Sequence, residues 1–197
     1  MRVSSGMSSP TRGDLQRLKR VARYLIGRPT VTWRYDWQQP GIGIKVFTDA
    51  DWAGCTRTRR STSGGGAIMR GRHLLKCWSK SQQVVSLSSG EAELYAGVRA
   101  ASEGLGVRSL MEDFGEKTRM QLVVDATAAM AMLSREGLGR AKHIDTQCFW
   151  VQEKVKSRDF EIVKVAPAKN PSDLFTEQLP EGKVIEHLGR MGCEFGN

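Results

Sequence analysis

Long apolar runs are missing from this 197-residue sequence, and charged residues make up 26% of it. No stretch approaches the roughly 18 apolar residues that a membrane-spanning helix needs. No apolar segment follows the charged start at Met1 either, so a secretory signal is not expected. Cysteine is scarce: Cys55, Cys77, Cys148 and Cys193 are widely scattered. That excludes a disulfide scaffold and predicts free thiols in a reducing compartment. These absences together predict a soluble intracellular protein, cytoplasmic or nuclear. A hydrophobic content of 40% is enough for one substantial core.

What is present in excess is positive charge. Thirty Lys and Arg face twenty-one Asp and Glu, a net charge of +9, which favours an anionic partner, with nucleic acid the leading candidate. Residues 1–40 hold eight of the basic side chains and two of the acidic ones, so much of the excess belongs to the N-terminal segment.

Residues 1–12, rich in Ser, Gly, Arg and Pro, offer no apolar periodicity and are expected to be disordered. From Asp14 to Ile26, Leu15, Leu18, Val21, Ala22, Leu25 and Ile26 recur at helical spacing among Arg17, Lys19, Arg20 and Arg23, predicting a basic amphipathic helix within a connecting segment, 13–40. A main domain over 41–180 follows, and the tail 181–197 is uninformative. Within that domain Ile42, Ile44, Val46 and Thr48 alternate with their neighbours, predicting a strand that places Asp49 and Asp51 on one face near its end. Ser61–Met69 and His73–Ser79 predict a hairpin about Arg70-Gly71-Arg72. Ser88 and Glu91 match a capping box opening a long helix to Phe114. A strand over Gln121–Asp125, helices to Arg135 and over Lys142–Lys156, a strand over Phe160–Val165 and a helix capped by Asn170 with Pro171 at its first position complete the order. Three consecutive strands followed by alternating helices and strands predict an α/β protein with a mixed sheet.

Four acids occupy comparable places in this order: Asp49, Glu93, Asp125 and Asp173. Carboxylates gathered in one cleft repel each other unless a divalent cation neutralises them, and hard oxygen ligands suit Mg²⁺ or Mn²⁺. Each also has a plainer role open to it, as a strand end, a solvated helix charge or a helix cap. Spacing alone leaves both open. Zinc is disfavoured, because His73 with Cys77 and His143 with Cys148 match no ribbon or finger spacing. Gly64-Gly65-Gly66 lacks the Lys-Ser or Lys-Thr of a nucleotide loop and fits close strand packing or a bulge.

Phe47-Thr48-Asp49-Ala50-Asp51-Trp52-Ala53-Gly54, Arg60-Ser61-Thr62-Ser63-Gly64, Leu87-Ser88-Ser89-Gly90-Glu91-Ala92-Glu93-Leu94-Tyr95-Ala96, Lys142-His143-Ile144-Asp145 and Asn170-Pro171-Ser172-Asp173-Leu174-Phe175-Thr176 resemble, in order, the ribonuclease H domain of copia-type retrotransposon Pol polyproteins. The helix Leu15–Gly27 is similar to the segment joining that domain to the preceding reverse transcriptase. The resemblance implies a ribonuclease H-like fold: a five-stranded sheet of three antiparallel and two parallel strands, with helices on both faces. It implies a nuclease that hydrolyses the RNA strand of RNA–DNA hybrids with two Mg²⁺ or Mn²⁺ ions. The chain would be the C-terminal piece of a polyprotein, with a reverse transcriptase as possible partner.

Motif by motif, the resemblance places the metal-binding catalytic set on Asp49, Glu93, Asp125 and Asp173. Glu93-Leu94-Tyr95-Ala96 fits the family's Glu motif, while Glu91, the capping-box candidate, stays open as the alternative ligand. Asp51, His143 and Asn170 are expected beside the ligands, supporting them. Phosphate contacts are expected from Arg57, Arg59, Arg60, Arg70, Arg72, Lys76 and Lys80, with Trp52 or Trp78 near a sugar, since such hybrids are recognised by shape and backbone. The chain departs from the family pattern at Ala126 and Thr127, where an amide side chain is common, and at Phe149, often His. It has no His between Val163 and Asn170. These departures keep a second expectation open, a catalytically inactive nucleic-acid-binding remnant; the sequence leaves oligomeric state undecided.

Overall fold

The computed structural model describes residues 9–135, 137 and 147–195. The chain runs through helix α1 (Arg12–Gly27) and strand β1 (Val31–Trp33) into strands β2 (Ile44–Asp51), β3 (Thr62–Arg70) and β4 (His73–Ser81). Then come helix α2 (Ser89–Asp113), strand β5 (Met120–Val124), helices α3 (Thr127–Ser134) and α4 (Gln147–Lys156) and strand β6 (Glu161–Lys164). A 3-10 turn (Pro167–Lys169) leads to the short helix α5 (Asp173–Thr176), helix α6 (Glu181–Arg190) and strand β7 (Cys193–Phe195). Among the described residues no helix is long and apolar enough to cross a membrane.

The alternation expected between Ile42 and Asp49 places Ile44 and Val46, with Ile68 of β3, in a core under α2, α3 and α4, where Leu94, Val98, Leu133 and Val151 meet them. The intervening residues face the other way. Phe47, Ala67 and Met69 pack there with Leu174 and Phe175 of α5 and with Met191. Both faces are therefore covered, as an α/β sheet requires.

The main sheet has the order β4-β3-β2-β5-β6. β2 and β4 are antiparallel to β3, whereas β5 lies parallel to β2 and β6 parallel to β5. This is the mixed five-stranded, ribonuclease H-like arrangement the sequence implies. The order reverses at β2, and open α/β sheets bind ligands at the carboxyl ends of strands beside such a reversal. That is where β2 delivers Asp49 and β5 delivers Asp125.

Some elements differ from expectation. α1 begins at Arg12, because Thr11 and Asp14 form a capping box in which each side chain accepts the other's backbone N–H. Its apolar stripe does not pack: no residue of α1 is buried. α5 begins at Asp173, with Ser172 at its cap. The tail contributes to the fold. β7 pairs antiparallel with β1, Arg34 pairs with Glu194 and Arg28 with Glu181, and His187, Met191 and Cys193 are buried. Gln38 closes the same end by donating to the Arg70 carbonyl (3.0 Å) while its oxygen accepts from the Arg72 N–H (3.3 Å). Glycine at position 71, with φ +58, leaves room for that amide. Residues 1–8 and the Lys142–Asp145 motif lie outside the described residues.

Met191 is 1% exposed although it lies in that tail. Met191→Ala should therefore cost about 2–5 kcal/mol in denaturant melts, whereas Leu25→Ala on α1 should stay within about 0.5 kcal/mol. Equal effects would remove the tail from the domain.

Candidate metal centre

Asp49 sits near the end of β2, Asp125 one residue past β5 and Asp173 at the first position of α5. Each offers a carboxylate oxygen, and these oxygens lie within 4.8 Å of one another. Glu93, on the first turns of α2, joins them from a fourth element. Its Oε1 accepts the Ala50 N–H at 3.1 Å, and its carboxyl is within hydrogen-bond reach of Asp49. All four acids thus come to one end of the sheet. Glu91 is engaged elsewhere: Ser88 Oγ accepts its N–H (3.2 Å), and its Oε2 accepts the Leu87 N–H (2.8 Å). Its carboxylate serves the start of α2, one residue away from the strict capping-box pairing.

The cluster is electrostatically unfavourable as it stands. Burial, then the charge of Asp49 and a hydrogen bond with it, push Glu93 up to about 9. Burial, followed by the charges of Asp49, Asp125 and Glu177, pushes Asp173 up to about 7. Burial also raises Asp49, against the hydrogen bond from Thr176. Among the described residues no Lys or Arg pairs with any of the four. Hard oxygen donors from separate elements, crowded and without a protein counter-charge, fit a divalent cation of the Mg²⁺ or Mn²⁺ type.

Neutral donors hold the acids in place. Asn170 is fully buried; its Nδ2 donates to Asp125 Oδ2 and to the Thr48 carbonyl, both at 3.0 Å, while its Oδ1 accepts the Ser172 N–H at 3.2 Å. One amide thereby ties β2, β5 and the approach to α5 together. Thr176 Oγ1 donates to Asp49 Oδ2. That contact escapes the sequence reading, although Asp173 and Thr176 stand three apart, the spacing that puts two side chains on one helix face. Asp51 Oδ1 accepts the Thr62 N–H, tying the end of β2 to β3. His143 lies outside the described residues. At Ala126 helix α3 starts without a side-chain cap, and Thr127 Oγ1 accepts from Lys164 at 2.5 Å.

The basic side chains divide into two groups. Arg57, Arg59 and Arg60 are exposed on the β2–β3 loop, just beyond the acids. Lys80 pairs across β3 with Ser63, itself opposite Ala50, and lines a cavity of about 380 Å³ with Gln83, Arg99 and Ser102. Arg70 and Arg72 lie at the other end. Arg70 is opposite Ile44, five residues before Asp49 on β2, a separation of roughly 17 Å at about 3.3 Å per residue. Arg70 is also committed to Glu116 (2.5 Å), and Lys76 to Glu103 (2.6 Å). Trp78 lies over Gly66, where a Cβ would overlap its ring; this and the register shift between Gly64 and Ala67 account for the glycine run.

Known proteins resemble the chain over most of its length. It is similar to the retrovirus-related Pol polyprotein from transposon TNT 1-94 of Nicotiana tabacum, 28% identical over 190 residues, which cover 92% of this chain and 14% of that protein. It is also similar to the one from transposon RE1 of Arabidopsis thaliana, 30% identical over 196 residues, covering 97% of this chain and 13% of that protein. The chain thus spans about one seventh of the length of these relatives. No family model matches it. Among solved structures it is similar to LC11-RNase H1, isolated from compost, with a TM-score of 0.48 and 16% identity, covering 68% of this chain and 91% of that one. So remote a likeness adds nothing to the topology described above.

A carboxyl whose folded pKa lies above its unfolded value binds more protons in the folded state between the two, so its stabilising contribution is full below the unfolded pKa and is lost as pH rises through the folded one. For Glu93 that window runs from 4.5 to about 9. Thermal melts without divalent ions should show Glu93→Gln gaining on the parent between pH 5 and pH 8. A constant difference would mean that Glu93 does not feel the cluster.

Proposed function

We propose that this chain, which belongs to the copia-type retrotransposon Pol polyproteins, is a ribonuclease H domain that hydrolyses the RNA strand of RNA–DNA hybrids with divalent cations. The observation that carries this reading is the meeting of Asp49, Asp125 and Asp173 within 4.8 Å, with Glu93 against Asp49. In it, these four side chains hold two Mg²⁺ or Mn²⁺ ions. Such ions would supply activation of an attacking water and charge stabilisation at the leaving oxygen of a phosphodiester, and cleavage would leave a 3′-hydroxyl and a 5′-phosphate.

The protein's own part is positioning. Asn170 and Thr176 orient Asp125 and Asp49 through the bonds described above, and ligand-orienting partners of this kind typically carry 10- to 100-fold in metal affinity or activity. The backbone of the hybrid lies against Arg57, Arg59 and Arg60 and the cavity at Lys80, which share the acids' end of the sheet. Arg70, Arg72 and Lys76 have a smaller share, given the distance of the first two and the ion pairs of Arg70 and Lys76. In the relatives the chain is part of a larger polyprotein, and a reverse transcriptase in the same polypeptide is the proposed physical neighbour.

A second reading has support in one place. Ala126 and Thr127 supply no amide after Asp125, which is left to the Asn170 amide alone; in this reading the domain binds hybrids without cutting them. A labelled hybrid incubated with Mg²⁺ separates the two. Hydrolysis by the parent, its loss in Asp49→Asn with binding kept, and a loss of about 10- to 100-fold in Thr176→Val support the nuclease. Binding without cutting by the parent contradicts it.

A further inference from the structure

The segment that leads from β1 to β2 helps to build a second polar cavity, at the end of the sheet away from the acids. Gln38 fixes this segment to the hairpin turn through the Arg70 carbonyl and the Arg72 N–H. Its Nε2 also donates to His73 Nδ1 at 2.6 Å. The two backbone bonds set the orientation of the amide, so Nδ1 accepts and the neutral imidazole carries its proton on Nε2. The α6–β7 turn closes in from the other side. Gly192, at φ +76, donates to the Gly189 carbonyl and accepts the Arg34 N–H at 2.8 Å. A side chain there would meet the Arg34 and Arg72 carbonyls at 2.9 and 3.3 Å, so glycine is what lets these segments converge.

The cavity between them measures about 290 Å³, the lower end of the range for small-ligand pockets. Its lining is of mixed charge. Arg34 pairs with Glu194 at 3.2 Å. Asp36 and Arg72 line the cavity as well, and among the described residues neither side chain has an ion-pair or hydrogen-bond partner. Trp37 stands beside them, 86% exposed.

A lone carboxylate repels a bare phosphate, and a lone guanidinium repels a simple cation. A ligand that suits both carries an anion at one end and hydrogen-bond donors at the other, with a flat face for the indole. A nucleotide meets all three conditions. Of the four RNA bases, guanine alone presents two adjacent donors, N1–H and the N2 amino group, matched to the two oxygens of a carboxylate. Adenine and cytosine set a ring-nitrogen acceptor beside their amino group, and uracil flanks its N3–H with carbonyls, so each turns a lone pair towards an acid.

We propose that this cavity is a guanine-nucleotide site. In it Trp37 stacks on the base, Asp36 accepts from N1–H and the N2 amino group, and Arg72 and the Nε2–H of His73 bind the 5′-phosphate. The site goes beyond the nuclease reading and does not depend on it. A free mononucleotide and a guanine at the 5′ end of a single strand offer the same chemistry.

Calorimetric titration of the whole chain with 5′-GMP, 5′-AMP, 5′-CMP and 5′-UMP tests this, in EDTA so that no divalent ion bridges a phosphate to the acids. GMP should bind at least about 10-fold more tightly than the other three, the weight of a two-bond contact to a base edge. Asp36→Asn should abolish that preference by weakening GMP alone. Trp37→Ala should weaken GMP by about 5- to 100-fold, the range for one base stacked on an aromatic ring, and Trp37→Phe by less. The three side chains Asp36, Trp37 and Arg72 are exposed, so these variants and Arg72→Ala, which should also weaken GMP, leave the core intact. Absence of GMP binding, equal binding of all four nucleotides, or a preference that survives Asp36→Asn overturns the site. A 5′-phosphorylated single-stranded pentamer beginning with guanine identifies the source. Binding at least as tight as that of GMP supports a strand-end site, and weaker binding supports a site for the free nucleotide.

Discussion

Mutual repulsion among crowded, partly buried carboxylates is the constraint around which this domain is arranged. Asp49, Glu93, Asp125 and Asp173 come from four elements that hydrophobic packing alone would not bring together with their charges facing. The sheet makes the meeting possible, because β5 runs parallel to β2 and both strands end on the same side. Neutral donors make it tolerable: the Ala50 N–H on Glu93, the Thr176 hydroxyl on Asp49 and the Asn170 amide on Asp125. None of these cancels charge. Glu93 and Asp173 remain pushed up to about 9 and about 7, by burial first and by their acidic neighbours second, shifts of the kind that mark a candidate functional site.

The same end of the sheet concentrates the polar construction of the molecule. Gln82 and Ser63 are buried and bonded to one another between β3 and α2, while Asn170 binds the strand carbonyl beside Asp49. Buried polar groups fully satisfied in this way rigidify their surroundings. The opposite end is closed by different means, through Gln38 on the hairpin turn and the β1–β7 pairing. α1 stands apart from both, with its leucines uncovered.

How much of this the sequence reveals depends on how local the cause is. The period-two run before Asp49 and the helix cap at Ser88 announce themselves, because alternation and capping are properties of neighbouring residues. The capping box of Thr11 and Asp14 is equally local, but a low-complexity start obscures it. The motif favours Glu93 over Glu91 as a ligand, and in the structure the Glu91 carboxylate accepts the Leu87 N–H at the start of α2 while Glu93 lies against Asp49. Long-range effects are hidden. The hairpin about Arg70 is legible, but nothing near it indicates the pair with Glu116. Asp51 shares a strand face with Asp49 by spacing, and only the structure shows that it also accepts the Thr62 N–H of β3. The tail has too few apolar residues to suggest a fold, and only the pairing of β7 with β1 reveals its place.

The central claim is that one divalent-cation site is formed by side chains far apart in the sequence. Anomalous diffraction from crystals soaked in Mn²⁺ tests it most directly. A peak bounded by the carboxylates of Asp49, Asp125 and Asp173 is expected, together with its loss in Asp125→Asn. Crystals that show Mn²⁺ only at other acids, with those three left without the ion, would contradict it.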